Sequence, residues 1–255
     1  MRIFVTGASG FIGQHLCAAI PGRGHPLAES MTGADAVVHL ANIAHAKAPE
    51  SELRRVNVEG TVARAKEAAR AGVRRFIYLS SSLAIDASDP YGRSKLAAEQ
   101  GLAELRGIEI VIVRPPLVYG PGVKANFLAL MRGVDRGLPL PLASVDNRRS
   151  LVYVGNLVDA ILFCLRLPEP PGGAIGVSDG APVSAPQLCR ALGEALGRPA
   201  RLFPFPPALL ALAPPLARLA RSLEVDDAAL RALGWSPPYS MKEGLEETAR
   251  WYRGL

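Results

Sequence analysis

Thr6-Gly7-Ala8-Ser9-Gly10-Phe11-Ile12-Gly13 is the stretch of this sequence that decides the fold. It follows a short apolar run, Arg2-Ile3-Phe4-Val5, and it leads into residues with a helical pattern, so the glycines lie between a strand and a helix. Glycines at this spacing permit a tight turn, the approach of backbone to a pyrophosphate, and close packing of helix on strand. The first turn of the helix supplies N–H groups to phosphates. The stretch therefore predicts a dinucleotide-binding loop.

Strand and helix patterns alternate beyond the glycine loop. Strands are predicted at Asp35–Ala41, Arg75–Leu79, Ile108–Val113 and Leu151–Val154, and helices at Glu52–Ala71, Tyr91–Leu105, Asn126–Gly133 and Leu157–Leu167. This alternation predicts an α/β fold with a doubly wound parallel sheet of the Rossmann type. We expect a dinucleotide-binding domain at 1–120. A small C-terminal substrate lobe is expected at 121–255, interleaved with the last sheet strand and helix at about 150–167.

Composition narrows the classes of function. The chain has 255 residues, of which 49% are hydrophobic and 20% charged, which is typical of a globular protein. The net charge is +6, but the arginines are scattered and only 6% of residues are aromatic, so we expect a small anionic ligand and no nucleic acid. Three widely spaced cysteines predict reduced core thiols without a metal site. The first residues already form a strand, so we expect a cytoplasmic protein without a secretory signal.

The longest apolar stretch is Leu202–Leu219, which contains five prolines and an arginine. Prolines break a spanning helix, so we expect no integral membrane segment. Two alternatives stay open for this stretch: it packs on the body of the protein, or it rests on a membrane surface near Arg218 and Arg221.

An acid/base pair follows the third predicted strand. Tyr91 and Lys95 stand four residues apart, so their side chains share one face of a helix. A nearby ammonium favours the phenolate form of a tyrosine, which makes it a better acid/base near neutral pH. The serine run Ser80-Ser81-Ser82 lies at the end of the preceding strand and offers a hydroxyl to the same substrate oxygen.

These motifs together resemble the short-chain dehydrogenase/reductase superfamily. His39-Leu40-Ala41 and Arg114–Gly122 are similar to its extended branch, the NAD-dependent epimerase/dehydratase family, which acts on nucleotide sugars. Val123–Phe127 and Asn147–Val154 resemble the members that act on UDP-N-acetyl sugars in surface-polysaccharide synthesis, among them 4-epimerases and 4-keto reductases.

The resemblance implies roles for individual residues. Tyr91 is the implied acid/base, Lys95 holds the nicotinamide ribose and lowers the tyrosine pKa, and Ser81 is the catalytic serine with Ser82 as the runner-up. Asn126 and Arg149 match positions that meet the diphosphate of the substrate, and Ser82 is implied as a further substrate-binding residue. Of the adjacent Arg148 and Arg149, only one can face the ligand. Contacts to the cofactor, NAD or NADP, are implied for Gly7, Ser9, Gly10, Phe11, Ile12, Gly13, His39, Leu40, Ala41, Tyr91, Lys95 and Pro115.

One part of the family pattern is missing. Only 21 residues separate Gly13 from Asp35, whereas a βαβ unit needs about 30 or more. The acidic residue that usually grips the adenosine ribose is lost with this unit, and Glu29 is the nearest carboxylate left. The first strand would then be an exposed sheet edge unless a loop or a partner covers it. Asn57 is interpreted either as a residue beneath the active site or as a helix cap.

Three functions remain open at this point. The leading hypothesis is an epimerase or reductase that acts at C4 of a nucleotide sugar by hydride transfer, and the family implies a homodimer formed by the helices Glu52–Ala71 and Tyr91–Leu105. Dehydratases of the family carry a Thr-Asp-Glu constellation where this chain has Ser81-Ser82-Leu83, which disfavours dehydration. The alternatives are a trimmed, non-catalytic sensor or scaffold of the same fold, and a regulator that senses NADPH.

Overall fold

The computed structural model describes residues 1–43, 48–210 and 220–255. His45 lies outside the described residues, as do Arg218 and the second half of the apolar stretch Leu202–Leu219. The chain divides into two compact units. The first unit comprises 1–116, 157–177 and 226–236, and the second comprises 117–156, 178–225 and 237–255.

Seven strands and ten helices are described. The strands are β1 (Ile3–Thr6), β2 (Ala36–His39), β3 (Arg75–Leu79), β4 (Glu109–Arg114), β5 (Leu117–Tyr119), β6 (Leu151–Tyr153) and β7 (Ala174–Gly176). The helices are α1 (Phe11–Gly22), α2 (Glu50–Leu53), α3 (Thr61–Arg70), α4 (Pro90–Ala103), α5 (Ala125–Asp135), α6 (Val154–Arg166), α7 (Ala185–Leu196), α8 (Pro207–Leu210), α9 (Ala228–Ala232) and α10 (Met241–Arg253). The π-helical turns Arg54–Gly60 join α2 to α3, and a 3₁₀ turn follows β3 at Ser82–Ala84. Within the described ranges, no helix is both long and apolar enough to cross a membrane.

The first unit is built on a five-stranded parallel sheet. Its strand order is β1-β2-β3-β4-β7, and the register sets Ile3 beside Ala36 and Val37 beside Phe76. Every residue of β2 and β3 is buried, as expected for strands covered by helices on both faces. Alanines at 65, 68 and 98 let α3 and α4 approach Phe76 and Tyr78 closely. The doubly wound α/β class predicted from the sequence is confirmed.

The missing βαβ unit is absent from the structure too. Residues 23–35, all of which are described, contain a single bridge in place of a strand and a helix: Ile3 pairs with Leu27 in parallel. The Ile3 amide donates to the Pro26 carbonyl at 3.0 Å, and the Ala28 amide donates to the Ile3 carbonyl at 2.9 Å. A short loop thus covers part of the outer edge of β1.

The strand predicted at 151–154 joins a different sheet from the one expected. The sequence interpretation made it the last strand of the main sheet, but β6 pairs in parallel with β5 in a separate two-stranded sheet. The last strand of the main sheet is β7, which pairs with β4. Both β5 and β6 read Leu-Val-Tyr, and a three-residue strand carries too little pattern to specify its partner. Helix α9 belongs to the first unit, although it lies in the C-terminal part of the chain.

Candidate active site

The glycine loop touches the carboxyl end of β2. Gly7 has a φ of +74°, and a Cβ atom at this residue would lie 2.7 Å from the Ala41 amide nitrogen. A Cβ atom at Gly13 would lie 2.2 Å from the Gly7 carbonyl oxygen, so α1 packs directly on the loop. Helix α1 begins at Phe11, immediately after Gly10. The first N–H groups of this helix therefore sit at the loop, where a phosphate would be stabilised.

Helix α4 starts against the turn that follows the serine run. The Asp89 carboxylate caps the helix by accepting the Gly92 N–H at 2.6 Å. A Cβ atom at Gly92 would lie 2.3 Å from the Leu83 carbonyl oxygen, so only glycine allows this close approach. The cap and the close contact fix where Tyr91, in the first turn of α4, stands relative to the 3₁₀ turn.

Lys95 lies beneath Tyr91 and is completely buried. Its Nζ donates a hydrogen bond to the Leu79 carbonyl at 2.8 Å, at the carboxyl end of β3. The same nitrogen lies 4.7 Å from the ring centroid of Tyr78 and 5.8 Å from that of Tyr91. Burial lowers the pKa of Lys95 to about 7, and the nearby charge of Glu99 opposes this shift.

Tyr91 is half-buried, and its pKa differs from the expectation. The resemblance implies that Lys95 lowers the pKa of Tyr91, but burial of the phenol and then the charge of Asp89 raise it. The physical reason is that burial disfavours the charged phenolate, and the nearby carboxylate of Asp89 disfavours a second negative charge.

The three serines have different environments. Ser80 is buried and donates to Glu99, whose carboxylate also accepts the Nε of Arg114 at 3.0 Å. Ser82 is 1% exposed, and its amide donates to the Pro115 carbonyl at 2.9 Å. Ser81 is the most accessible of the three, and its Oγ accepts the Leu83 N–H at 3.2 Å.

Glu99 is a buried residue that the sequence interpretation missed. It stands four residues after Lys95, so the helical spacing that linked Tyr91 to Lys95 could have extended to it. Its ion pair with Arg114 joins α4 to the end of β4, beside the serine run.

Asn57 holds the loop after β2 against α4. It is fully buried, its Oδ1 accepts the Ile43 N–H at 2.8 Å, and its Nδ2 donates to the Ile43 carbonyl at 3.1 Å. The Nδ2 also donates to the Ser94 Oγ at 3.2 Å, and Ser94 donates in turn to the Tyr91 carbonyl at 2.8 Å. Because Asn57 lies inside the π-helical turns and bonds to α4, it is not a helix cap.

His39 closes the carboxyl end of β2. Its Nδ1 is 2.7 Å from the Thr6 Oγ1, and its Nε2 is 3.2 Å from the Thr61 Oγ1. The side chain is 4% exposed, and burial, followed by the charges of Lys95 and Arg64, lowers the pKa of His39 to about 4. His39 is therefore neutral at physiological pH, in agreement with a residue that lines a cleft.

A cavity of about 370 Å³ opens beside the glycine loop, at the carboxyl ends of β1 and β2. Its lining residues are Phe4, Thr6, Glu29, Ser30, Met31, His39, Ala41, Arg64 and Glu67. Glu29 comes two residues after Leu27, which bridges to Ile3, and it lines the cavity. It does so from a loop, because the strand of the missing βαβ unit is absent. Arg64 and Glu67 were missed because charges on an exposed helix face look like ordinary solvated residues in a sequence.

Two of the expected substrate residues belong to the second unit. Arg149 is partly buried and donates from Nη1 to the Arg221 carbonyl at 2.8 Å; burial and the charge of Arg221 lower its pKa. Arg148 is exposed and pairs with Glu224 at 2.9 Å, as expected for the arginine that faces away from the ligand. Asn126 is exposed in the first turn of α5. Arg221 is a neighbour that the sequence interpretation had not connected with a binding site.

The chain matches a known protein family. The model of the NAD-dependent epimerase/dehydratase family matches residues 26–176, which is more than half of the chain. The chain belongs to this family. A UDP-glucose 4-epimerase of Vibrio cholerae is 39% identical to this chain over 248 aligned residues. The alignment covers 84% of this chain and 75% of the relative.

Two further comparisons concern a partial relative and a solved structure of the same fold. A UDP-2-acetamido-2,6-beta-L-arabino-hexul-4-ose reductase of Pseudomonas aeruginosa is 31% identical over 179 residues, covering 62% of this chain and 48% of the relative. The solved structure of a Thermus thermophilus UDP-glucose 4-epimerase, a complex with NAD, superposes with a TM-score of 0.80 at 23% identity and covers all of both chains. The Rossmann-type fold is confirmed, and the relatives include both epimerases and reductases of nucleotide sugars.

Proposed function

We propose that this protein transfers hydride at C4 of a nucleotide sugar of the UDP-N-acetyl class, with NAD or NADP as cofactor and Tyr91 as the acid/base. The observation that carries this proposal is the placement of Tyr91 above a fully buried Lys95, whose Nζ lies 5.8 Å from the tyrosine ring. A merely structural tyrosine has no need of a desolvated lysine on the same helix face.

The glycine loop and the cavity beside it fit a dinucleotide. Any side chain at Gly7 would strike the backbone at Ala41, so glycine is needed for the tight turn of the loop against β2, as in loops that bind a pyrophosphate. Gly10 and the first N–H groups of α1 would hold the phosphates, and the cavity bounded by Thr6, His39 and Ala41 would hold the adenosine. When bound, the nicotinamide supplies the hydride acceptor or donor.

The proton moves through Tyr91. In the oxidising direction the phenolate takes the proton of the C4 hydroxyl while the hydride leaves the same carbon, and in the reducing direction the phenol returns a proton to the C4 oxygen. Since burial raises the pKa of Tyr91, the phenolate needs a cation beside it, and the ammonium form of Lys95 supplies one. The Ser81 hydroxyl would stabilise the developing oxyanion.

The second unit offers a basic environment for a diphosphate. Arg149 donates to the Arg221 carbonyl at 2.8 Å, so two cationic residues are neighbours, and the charge of Arg221 lowers the pKa of Arg149. An anionic diphosphate would relieve this repulsion and could bind a guanidinium in a bidentate way. Asn126 is accessible for a further contact. We expect a homodimer formed through the helices α2–α3 and α4, located in the cytoplasm.

Replacing Tyr91 by phenylalanine tests this function. We expect Tyr91→Phe to lower turnover of a UDP-N-acetyl sugar or its 4-keto form by about 100-fold or more, because the proton step is lost. NADH affinity, measured by fluorescence titration, should stay within about twofold. Tyr239→Phe, at a 45% exposed tyrosine of the second unit, is the matched control and should keep wild-type turnover.

The other outcomes are equally informative. Unchanged turnover in Tyr91→Phe would contradict the assigned role, and cofactor binding without turnover of any UDP sugar by the wild type would support the non-catalytic alternative. An epimerase would interconvert two C4 epimers with catalytic NAD, whereas a reductase would consume NADH or NADPH in proportion to its product.

A further inference from the structure

Lys95 and Glu99 are buried on one face of α4. Lys95 is completely buried, and the Glu99 side chain is 6% exposed. They stand four residues apart, so one helical turn separates them. The Lys95 Nζ donates to the carbonyl of Leu79, and the Glu99 carboxylate accepts from the hydroxyl of the next residue, Ser80. Both side chains therefore reach the same place, the carboxyl end of β3.

The Glu99 carboxylate is held by residues of two strands. Its Oε1 accepts from the Ser80 hydroxyl and from the Nε of Arg114, at the end of β4, at 3.0 Å, and its Oε2 accepts from the Nη2 of Arg114. Two N–H donors on two carboxylate oxygens make a bidentate ion pair. The Ser80 amide donates to the Val113 carbonyl at 2.8 Å, which joins the two strands at this point. The carboxylate thus keeps a fixed position one turn from Lys95.

The two members of this ion pair differ in how deeply they are buried. The Glu99 side chain is 6% exposed, whereas that of Arg114 is 24% exposed. A charge deep in the protein acts through a low dielectric, whereas water screens a charge nearer the surface. Burial lowers the pKa of Lys95 to about 7, and the charge of Glu99 opposes this shift. Lys95 therefore experiences the carboxylate of the pair more strongly than the guanidinium.

The neighbouring elements present further titratable groups to Lys95. The ring centroids of Tyr78 on β3 and Tyr91 on α4 lie 4.7 Å and 5.8 Å from its Nζ, and burial raises the pKa of both phenols. His39 on β2 is neutral near pH 7, because its pKa is lowered to about 4. Arg64 on α3 is 56% exposed, so solvent screens its charge. None of these four groups brings a negative charge to the lysine at neutral pH, and the carboxylate one turn away supplies it.

We propose that Glu99 acts as a positioning residue, because its carboxylate keeps Lys95 in the ammonium form that the phenolate of Tyr91 needs. This inference rests on the proposed function for its effect on turnover, whereas the charge on the lysine can be measured without a substrate. Without the carboxylate, the ammonium would be a buried cation near the guanidinium of Arg114, and it would lose its proton at neutral pH. The phenolate would then have no cation beside it.

Two substitutions separate the charge of Glu99 from its shape. Glu99→Gln keeps the length of the side chain and an oxygen that can accept from Ser80 and Arg114, but it removes the charge. Glu99→Asp keeps the charge but shortens the side chain, which weakens the bonds to Ser80 and Arg114. If the role of Glu99 is electrostatic, aspartate replaces it better than glutamine does. If the role is only structural, glutamine replaces it better.

The charge on Lys95 can be followed by NMR titration of the full chain labelled with ¹³C-lysine. The chain has five lysines, and the Lys95 signal is identified by its loss in Lys95→Arg. In the wild type this signal should titrate near pH 7. In Glu99→Gln the midpoint should fall by about one pH unit or more, because the counter-charge is lost. In Glu99→Asp the midpoint should stay within about half a pH unit of the wild type.

Turnover should show the same dependence on charge. Because a lower pKa of Lys95 leaves less ammonium as the pH rises, the loss in Glu99→Gln should be larger at high pH. With UDP-N-acetylglucosamine and NAD as the probe, Glu99→Gln should fall below the wild type by about twofold at pH 6 and about tenfold at pH 8, for a midpoint lowered by about one pH unit. Glu99→Asp should keep the same ratio to the wild type at both pH values.

A matched control is available at the other end of the same two strands. Glu109, at the start of β4, accepts from Arg74 at 3.0 Å and from Arg75 at 2.8 Å. Glu109→Gln therefore removes a carboxylate that is paired with arginine, as Glu99→Gln does, but away from Lys95. It should leave the Lys95 midpoint and the pH dependence of turnover at the wild-type values. Thermal unfolding should show that all variants fold.

The remaining results each count against a defined part of the inference. An unchanged Lys95 midpoint in Glu99→Gln would overturn the inference and leave the proposed function standing. An equal fall of the midpoint in Glu99→Asp and Glu99→Gln would show that Glu99 acts through packing, which would also overturn it. A wild type that turns over no UDP-N-acetyl sugar would overturn the proposed function, and the NMR midpoints would still decide whether Glu99 sets the charge of Lys95.

Discussion

At the scale of single residues, His39 shows how a buried polar group can connect strands and helices. Its ring lies parallel to its neighbours, with centroids 5.5 Å from Phe76 and 6.1 Å from Tyr78. Its two nitrogens meet hydroxyls of Thr6 on β1 and Thr61 on α3. A neutral imidazole can make both contacts, because one ring nitrogen donates, the other accepts, and a threonine hydroxyl can do either. A protonated ring would place a buried positive charge near Lys95.

The titration of His39 makes the stability of the protein depend on pH. Its pKa is about 4 in the folded chain and 6.5 in an ordinary environment, so the unfolded chain binds a proton that the folded chain does not. Stability is therefore lost as the pH falls from 6.5 towards 4, by up to about 3 kcal/mol for this group. We expect urea unfolding at pH 7.5 and 4.5 to show a smaller difference for His39→Gln than for the wild type. An equal difference for both proteins would contradict this account.

The sequence could predict those parts of the candidate site in which the spacing of residues along the chain alone brings their side chains together. Gly7, Gly10 and Gly13 lie between a strand and a helix, and Tyr91 and Lys95 share a helix face, so local geometry brings each set together. The raised pKa of Tyr91 was not predictable, because it depends on how deeply the phenol is buried. Glu29 could be named from the sequence, but its place on the cavity depends on a bridge between Ile3 and Leu27 that no pattern indicates.

At the scale of elements, the start of α4 positions Tyr91, the proposed acid/base. The helix is held by the Asp89 cap at its first turn and by the Lys95 bond to the Leu79 carbonyl one turn later. Asn57 adds a third restraint through Ser94. These contacts fix α4 to the end of β3 and to the turns after β2, so a small shift of the helix would move Tyr91 relative to Ser81.

Gly92 is the residue at which such a shift can be produced. A Cβ atom there would lie 2.3 Å from the Leu83 carbonyl oxygen, and a backbone atom cannot rotate away. We expect Gly92→Ala to destabilise the protein by about 2 kcal/mol and to lower turnover, although alanine favours helices. Gly22→Ala is the control, because that helical glycine has no heavy atom within 4 Å of the added Cβ and no positive φ. Equal unfolding free energies for the two variants would contradict this prediction. They would show that the backbone at Leu83 moves to make room for the added Cβ atom.

At the scale of the whole molecule, the distinctive feature is a Rossmann-type sheet that ends at β1. The absence of the βαβ unit was predictable by counting residues, since 21 cannot form a strand, a helix and a second strand. The sheet to which β6 and β7 each belong could not be predicted from the sequence. Each strand has three residues, and tertiary packing decides which strand it pairs with. The result is a first unit whose outermost strand is protected by Pro26–Ala28 in place of a full neighbouring strand.

This protection can be removed by one substitution. The Ala28 amide donates to the Ile3 carbonyl at 2.9 Å, and proline at this position has no N–H to donate. We expect Ala28→Pro to lower the free energy of unfolding by about 1–3 kcal/mol and to expose the edge of β1 to pairing with other chains. Size-exclusion chromatography should then show concentration-dependent species larger than those of the wild type. Ala28→Gly keeps the donor and should elute like the wild type. An Ala28→Pro variant with wild-type stability and elution would mean that the loop does not protect the edge, and that the trimmed sheet is stable without it.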